Sequence, residues 1–224
     1  MKSKLAAAVA GSVVCAVLMS GCTAPPHSTD DGVDLTEVEV REYEGEDLSS
    51  ITHFRENSIH GPQSVDIDSY ALTISGLVRD TREFTYDEVI TDHENYRKVV
   101  TLYCVEGWDV TILWEGILLR DLIKEAGAEP EAHTVIFRAV DGYSTSLPLS
   151  YILDNEILLA HKMNGVVLPP ERGFPFHLVA ESKWGYKWIK WVREIELSDD
   201  EHFLGYWEQR GFSNSADRDD SFFA

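Results

Sequence analysis

Lys98-Val99-Val100-Thr101-Leu102-Tyr103-Cys104-Val105-Glu106-Gly107-Trp108 is the stretch from which the rest of the chain is read. Residues 98–103 form a β-branched and aromatic run of the kind that packs as a strand, so Cys104 stands at a strand end. It is also the one thiol of three that a mature protein is expected to keep free, because Cys15 falls in the N-terminal apolar run and Cys22 closes it. An unpaired cysteine in an oxidising compartment is open to oxidation unless it is buried or bound. Three roles suit such a residue: a small buried hydrophobe, a nucleophile, or a soft-metal ligand.

The N-terminus supplies the compartment. Lys2 and Lys4 lead into an apolar run over residues 5–19 that ends in Ser20-Gly21-Cys22, the layout of a secretory signal. A bilayer core takes roughly 20 apolar residues, so the run is too short to be a transmembrane helix. Leu18-Met19-Ser20-Gly21-Cys22 resembles a prokaryotic lipobox, which implies cleavage before Cys22 once a diacylglycerol is on its sulfur. The expected organisation is therefore a signal at 1–21, a flexible tether at 22–32 and one folded domain at 33–224. The domain would be exported and lipid-anchored to the outer face of the cytoplasmic membrane, in a periplasm or at the cell surface.

Charge narrows the partners. The chain has 39 acidic against 19 basic side chains, a net −20, and loss of the signal with Lys2 and Lys4 makes it −22. Such a surface repels polyanions, which excludes nucleic acid and leaves membrane attachment to the lipid. The remainder is apolar enough to bury one core, without an internal linker or repeat. Periodicity predicts strands over 70–78, 98–103, 133–139, 144–149, 157–163, 176–180 and 191–197. It also predicts a short helix over 84–91 and another at 118–123 that Gly127 stops. The fold class is α+β, a single β-rich mixed domain with its chemistry on loops.

Familiar catalytic patterns are missing: no G-x-S-x-G, H-E-x-x-H, P-loop, G-x-G-x-x-G or C-x-x-C occurs. A Cys-His hydrolase stays open, although none of the eight histidines has a spacing that marks it as the base. Zinc lacks the paired ligand spacing on which a strong assignment rests.

Six motifs occur in one order: Cys104-Val105-Glu106-Gly107-Trp108, Trp114-Glu115-Gly116, Asp141-Gly142-Tyr143-Ser144-Thr145-Ser146-Leu147-Pro148, Met163-Asn164-Gly165, Leu168-Pro169-Pro170-Glu171-Arg172-Gly173-Phe174-Pro175, and Gly185-Tyr186-Lys187-Trp188-Ile189-Lys190-Trp191. Together, over roughly residues 48–197, they resemble the sulfite oxidase family. The likeness is greatest to its short prokaryotic members, a group that includes the catalytic subunit of periplasmic methionine-sulfoxide reductase. The resemblance implies the sulfite oxidase molybdopterin-binding fold and makes Cys104 the protein ligand of a molybdenum held by molybdopterin. Soft sulfur suits a metal that changes oxidation state while an oxygen atom moves.

The same resemblance implies cofactor contacts at Arg55, Asn57, Asp141, Arg172, His177, Trp188, Ile189 and Lys190, with Arg172 and Lys190 as the phosphate partners. His177 stands where the family usually has arginine. Tyr143 aligns with a tyrosine beside the metal and is the candidate proton donor. Glu56 falls near a sulfite-holding arginine of sulfite oxidases, and an acid there is expected to disfavour that anion and favour a neutral sulfoxide or N-oxide. The implied activity is two-electron oxygen-atom transfer with a small-molecule oxygen donor or acceptor.

No C-x-x-C-H and no iron-sulfur cysteine cluster is present, so an external redox partner is expected, a membrane cytochrome or a quinone-linked subunit. Met1-Lys2-Ser3-Lys4 lacks the arginine pair of a twin-arginine signal. The alternative function is accordingly a cofactor-free envelope lipoprotein that uses the fold as a binding or scaffolding module.

Overall fold

The structure is a computed structural model and describes residues 34–224. The signal, the tether and Cys22 lie outside the described residues. In chain order the elements are α1 (Leu35–Val38), β1 (Glu42–Tyr43), β2 (Glu46–Asp47), β3 (Leu72–Gly76), β4 (Arg82–Phe84), α2 (Tyr86–Asp92), β5 (Asn95–Tyr103), β6 (Asp109–Leu118) and α3 (Leu119–Ala126). They continue with β7 (Thr134–Ala139), β8 (Ser144–Pro148), α4 (Leu149–Asp154), β9 (Leu158–Met163), β10 (Val166–Val167), β11 (His177–Val179) and β12 (Val192–Ser198).

Two sheets carry the domain. One runs β10-β9-β6-β5 with β11 also on β9, and the other runs β4-β3-β12-β7-β8. The pairing of β3 with β12 is parallel and every other pairing in these sheets is antiparallel. Strand β6 is central in the first sheet and is buried along nearly its whole length, with Ile112, Trp114 and Ile117 fully enclosed. Such a strand reads as a continuous apolar run, not an alternating one.

The expected strands are all present, at slightly different bounds. Besides the short α1, β1, β2 and β10, three elements were not expected. Residues 109–118, noted only for the Trp114-Glu115-Gly116 motif, form the long central strand β6, so the helix starts at Leu119. Residues 82–84 add β4, which crosses the predicted helix start. Residues 149–154 form α4, where a strand end was expected. Helix α2 begins instead at Tyr86, because Thr85 and Glu88 make a reciprocal capping box. In α3, Leu119, Leu122, Ile123 and Ala126 share the buried face, and Gly127 ends it in the left-handed conformation.

Register fixes the position of the chemistry. Strands β5 and β6 form a hairpin paired from Asn95↔Ile117 to Tyr103↔Asp109, and the Cys104 N–H closes its turn on the Trp108 carbonyl at 2.9 Å. Gly107, at φ +88°, gives that turn a conformation which side chains resist. Further along β6, Gly116 lets β9 approach closely: a Cβ there would stand 2.3 Å from the Leu159 carbonyl oxygen and 2.6 Å from the Ala160 Cα. Gly116→Ala is expected to lower stability by about 2–3 kcal/mol, because the obstruction is backbone and cannot rotate away. Urea unfolding measures this; an unchanged midpoint would show that the two strands can separate at little cost.

Candidate functional site

The turns at one end of these strands enclose a cleft of about 620 Å³. Its walls come from the 54–61 loop, the Cys104–Trp108 turn, the β7–β8 turn with Asp141 and Tyr143, and the Glu171–Arg172 turn. The 185–191 segment and the chain near Trp207 and Phe212 complete them. Every site residue expected from the sequence within the described chain lines this cleft, although they are drawn from positions 55 to 190.

Cys104 is 9% exposed. Its Sγ accepts from the backbone N–H of Glu106 at 3.5 Å and from Asn57 Nδ2 at 3.7 Å. Burial raises the thiol pKa and the Glu106 charge adds to this, against the two donors and Arg55, so the group without a cation remains a thiol. Glu106, for which no role was expected, organises the turn: one carboxylate oxygen receives Asn57 Nδ2, Trp108 Nε1 and Arg55 Nη1 at 3.2–3.3 Å. Hydrogen bonds from Asn57 and Trp108 hold its carboxyl below the usual range.

Arg172 is buried and partly committed: Nε donates to the Ile51 carbonyl at 2.7 Å, Nη2 donates to the Phe54 carbonyl at 2.8 Å, and the guanidinium lies 3.7 Å over the Phe54 ring. It therefore fixes the 54–57 loop as well as offering charge to the cleft. Lys190 Nζ pairs with Glu56 and also donates to the Glu171 carbonyl. This corrects the expected role of Glu56, whose negative charge is opposed by Lys190 and does not stand alone as a barrier to anions. Asp141 turns inward, its carboxylate accepting the Tyr143 N–H at 3.0 Å, while His60 Nδ1 donates to its carbonyl at 2.9 Å.

His177 differs from the arginine it replaces in more than size. Complete burial pushes its pKa down to about 3, and Nδ1 donates to the Arg172 carbonyl at 2.9 Å, so the ring is neutral. Nε2 is buried beside the Trp188 backbone without a well-formed hydrogen bond. A neutral ring supplies no charge for a phosphate, unlike the arginine usual at this position. Trp114 and Trp188 wall the ring at centroid distances of 4.9 and 6.4 Å. Trp188 and Ile189 are themselves buried.

Tyr143 donates its hydroxyl to the Tyr186 carbonyl, and burial with nearby Glu208 holds its pKa well above 10. The phenol keeps its proton across the physiological range.

Among the described residues no group of three or more His, Cys, Asp or Glu could hold a metal alone. The donor set does fit a molybdenum cofactor: one thiol in the cleft and two basic side chains, Arg172 and Lys190, for a phosphate. The cleft as a whole places three cations, Arg55, Arg172 and Lys190, against four carboxylates, Glu56, Glu106, Asp141 and Glu171.

Residues 60–207 match the family described as Oxidoreductase molybdopterin binding domain. The chain is 32% identical to the uncharacterized oxidoreductase YuiH of Bacillus subtilis, over 70% of this chain and 78% of that protein. It is 32% identical to the putative protein-methionine-sulfoxide reductase subunit YedZ1 of Azospira oryzae, over 67% of this chain and 57% of that one. Against mitochondrial sulfite oxidase of Macaca fascicularis the identity is 31%, over 74% of this chain but 36% of the relative. Among solved structures, the sulfane dehydrogenase SoxCD from Paracoccus pantotrophus shares the fold, with a TM-score of 0.62 at 21% identity over 84% of this chain and 56% of that one.

Proposed function

Because the chain belongs to the oxidoreductase molybdopterin binding domain family and is an oxidoreductase that binds molybdopterin with molybdenum, we propose that it transfers an oxygen atom to or from a small neutral substrate, a sulfoxide or N-oxide ahead of sulfite. The observation that carries the reading is Cys104, a free thiol at the floor of the cleft with two N–H donors aimed at its sulfur. Donors to sulfur favour the thiolate, which is the form a metal binds, and binding displaces the proton that burial retains. Cys104 is the metal ligand in this proposal. Arg55, Asn57, Asp141, Arg172, His177, Trp188, Ile189 and Lys190 are the cofactor contacts. When bound, the cofactor supplies a centre that takes up or releases an oxygen atom with two electrons.

The charge balance of the cleft supports the choice of a neutral substrate, since its carboxylates outnumber its cations and Arg55 and Lys190 already face Glu106 and Glu56. An inorganic dianion would have to compete with those pairings. Tyr143 is the hydroxyl donor in this proposal: its O–H, now resting on the Tyr186 carbonyl, keeps its proton at any working pH and can donate a hydrogen bond to oxygen at the reacting centre. Electrons pass to or from an external cytochrome or quinone-linked partner, and a lipid on Cys22 holds the domain near the membrane where such a partner resides.

Cys104→Ser is expected to remain folded yet lose the visible thiolate-to-metal absorption and all turnover. Molybdenum analysis and the absorption spectrum of protein from molybdate-fed cells decide this, and a metal-free wild type would end the proposal. Tyr143→Phe is expected to lower turnover roughly 10²-fold with molybdenum content unchanged. Wild-type activity should show no tyrosine ionisation limb below pH 10, because the raised pKa keeps the donor form present throughout; a full-speed phenylalanine variant would leave Tyr143 a packing role. Intact-mass analysis of membrane-extracted protein is expected to find a chain that starts at Cys22 and carries added lipid, and a mature chain without lipid would remove the anchor.

A further inference from the structure

Residues past β12 return to the cleft and build part of its wall. The turn from Trp207 to Phe212 is closed by Gly211 N–H to the Glu208 carbonyl at 3.1 Å and Phe212 N–H to the Trp207 carbonyl at 3.3 Å. What anchors it is a wholly buried ion pair. Lys187 Nζ binds Glu208 Oε1, which also accepts Thr145 Oγ1 at 2.7 Å, while the same ammonium donates to the Ser146 carbonyl at 2.9 Å and Asn214 Oδ1 at 3.0 Å. Both side chains are fully enclosed. Taking two charges out of water is costly, and the return is fixed geometry: the pair locks this turn to β8 and to the Gly185–Lys187 turn.

The fixed turn holds a set of rings. Trp207 lies 5.2 Å from Phe212, Phe212 lies 5.2 Å from Tyr186, and Tyr206 lies 5.4 Å from Trp207 and 5.7 Å from Tyr143. Trp207, Phe212, Tyr186 and Tyr143 line the same cleft as Cys104. Trp207 nevertheless remains 37% exposed. A rigid aromatic wall left open to solvent beside a reactive centre gains free energy when an apolar group covers it, and it loses no side-chain freedom in doing so.

We infer that Trp207 and Phe212 are specificity-determining residues that bind the apolar body of the substrate, so that the site selects aryl or bulky alkyl oxides over small or anionic ones. The inference rests on the proposed reading of the cleft as an oxygen-transfer centre for neutral organic substrates. Calorimetric titration of the molybdenum-loaded, full-length protein with methyl phenyl sulfone and dimethyl sulfone reads the wall without turnover. The wild type is expected to prefer the phenyl compound. Trp207→Ala is expected to cut that preference about tenfold, the size of one aromatic contact, and Phe212→Leu, which keeps apolar volume, to cut it less. No preference in the wild type, or an equal preference in Trp207→Ala with an unchanged melting midpoint, would overturn the inference. A preference that depends on Trp207, in an enzyme that turns over neither sulfoxide nor N-oxide, would instead refute the proposed reaction and leave the aromatic subsite in place.

Discussion

Closure of the β5–β6 hairpin by the Cys104 N–H on the Trp108 carbonyl is the constraint from which the site follows. Side chains on a strand alternate between faces, so a slip of one residue between Asn95↔Ile117 and Tyr103↔Asp109 would turn the thiol away from the cleft. Burial of β6 on both sides opposes that slip, since it would exchange the faces on which Ile112, Trp114 and Ile117 pack. The reactive sulfur is thus held by the packing of the whole first sheet. Asn57 and Glu106, which touch it directly, complete the local geometry.

The polar part of the site obeys a second rule: its charges are mutually engaged. Arg55 faces Glu106, Lys190 faces Glu56, and Arg172 places two donors on backbone carbonyls. The Lys190–Glu56 pair and the carbonyls that Arg172 holds limit the cost of burying those groups, while the exposed Arg55–Glu106 pair orders the turn. These pairings also make individual charges poor guides to ligand preference. Glu56 read by itself is a repelling carboxylate, whereas Glu56 read with Lys190 is half of a neutral pair.

How far the sequence could be read depended on whether each signal was local. The run at 98–103 and the buried face of α3 announce themselves by composition and period, and both formed as expected. Strand β6 was missed because, buried on both sides, it lacks alternation. The pairing of Glu56 with Lys190 spans 134 residues, and no spacing rule reaches so far. Lys187 and Glu208 were missed for another reason: each sits in a short turn, and in a strongly acidic chain an isolated lysine or glutamate reads as surface. The aromatic residues beyond 200 likewise follow neither period, because loops and short turns carry them, not helices or strands.

Residues from the two ends of the described chain meet around the sulfur, and this bears on the order of assembly. The 54–57 loop is held by Arg172 and Lys190, and Arg218 lies 3.4 Å over the ring of Tyr103, the residue before the thiol. Contacts of such sequence separation form late, after loop closure over most of the chain. During synthesis both sheets can be in place while the cleft still lacks the wall that Trp207 and Phe212 provide. The binding site is therefore the last part of the domain to be completed, and a nascent chain that stops between Ser198 and Trp207 has the strands of both sheets with an open-sided pocket.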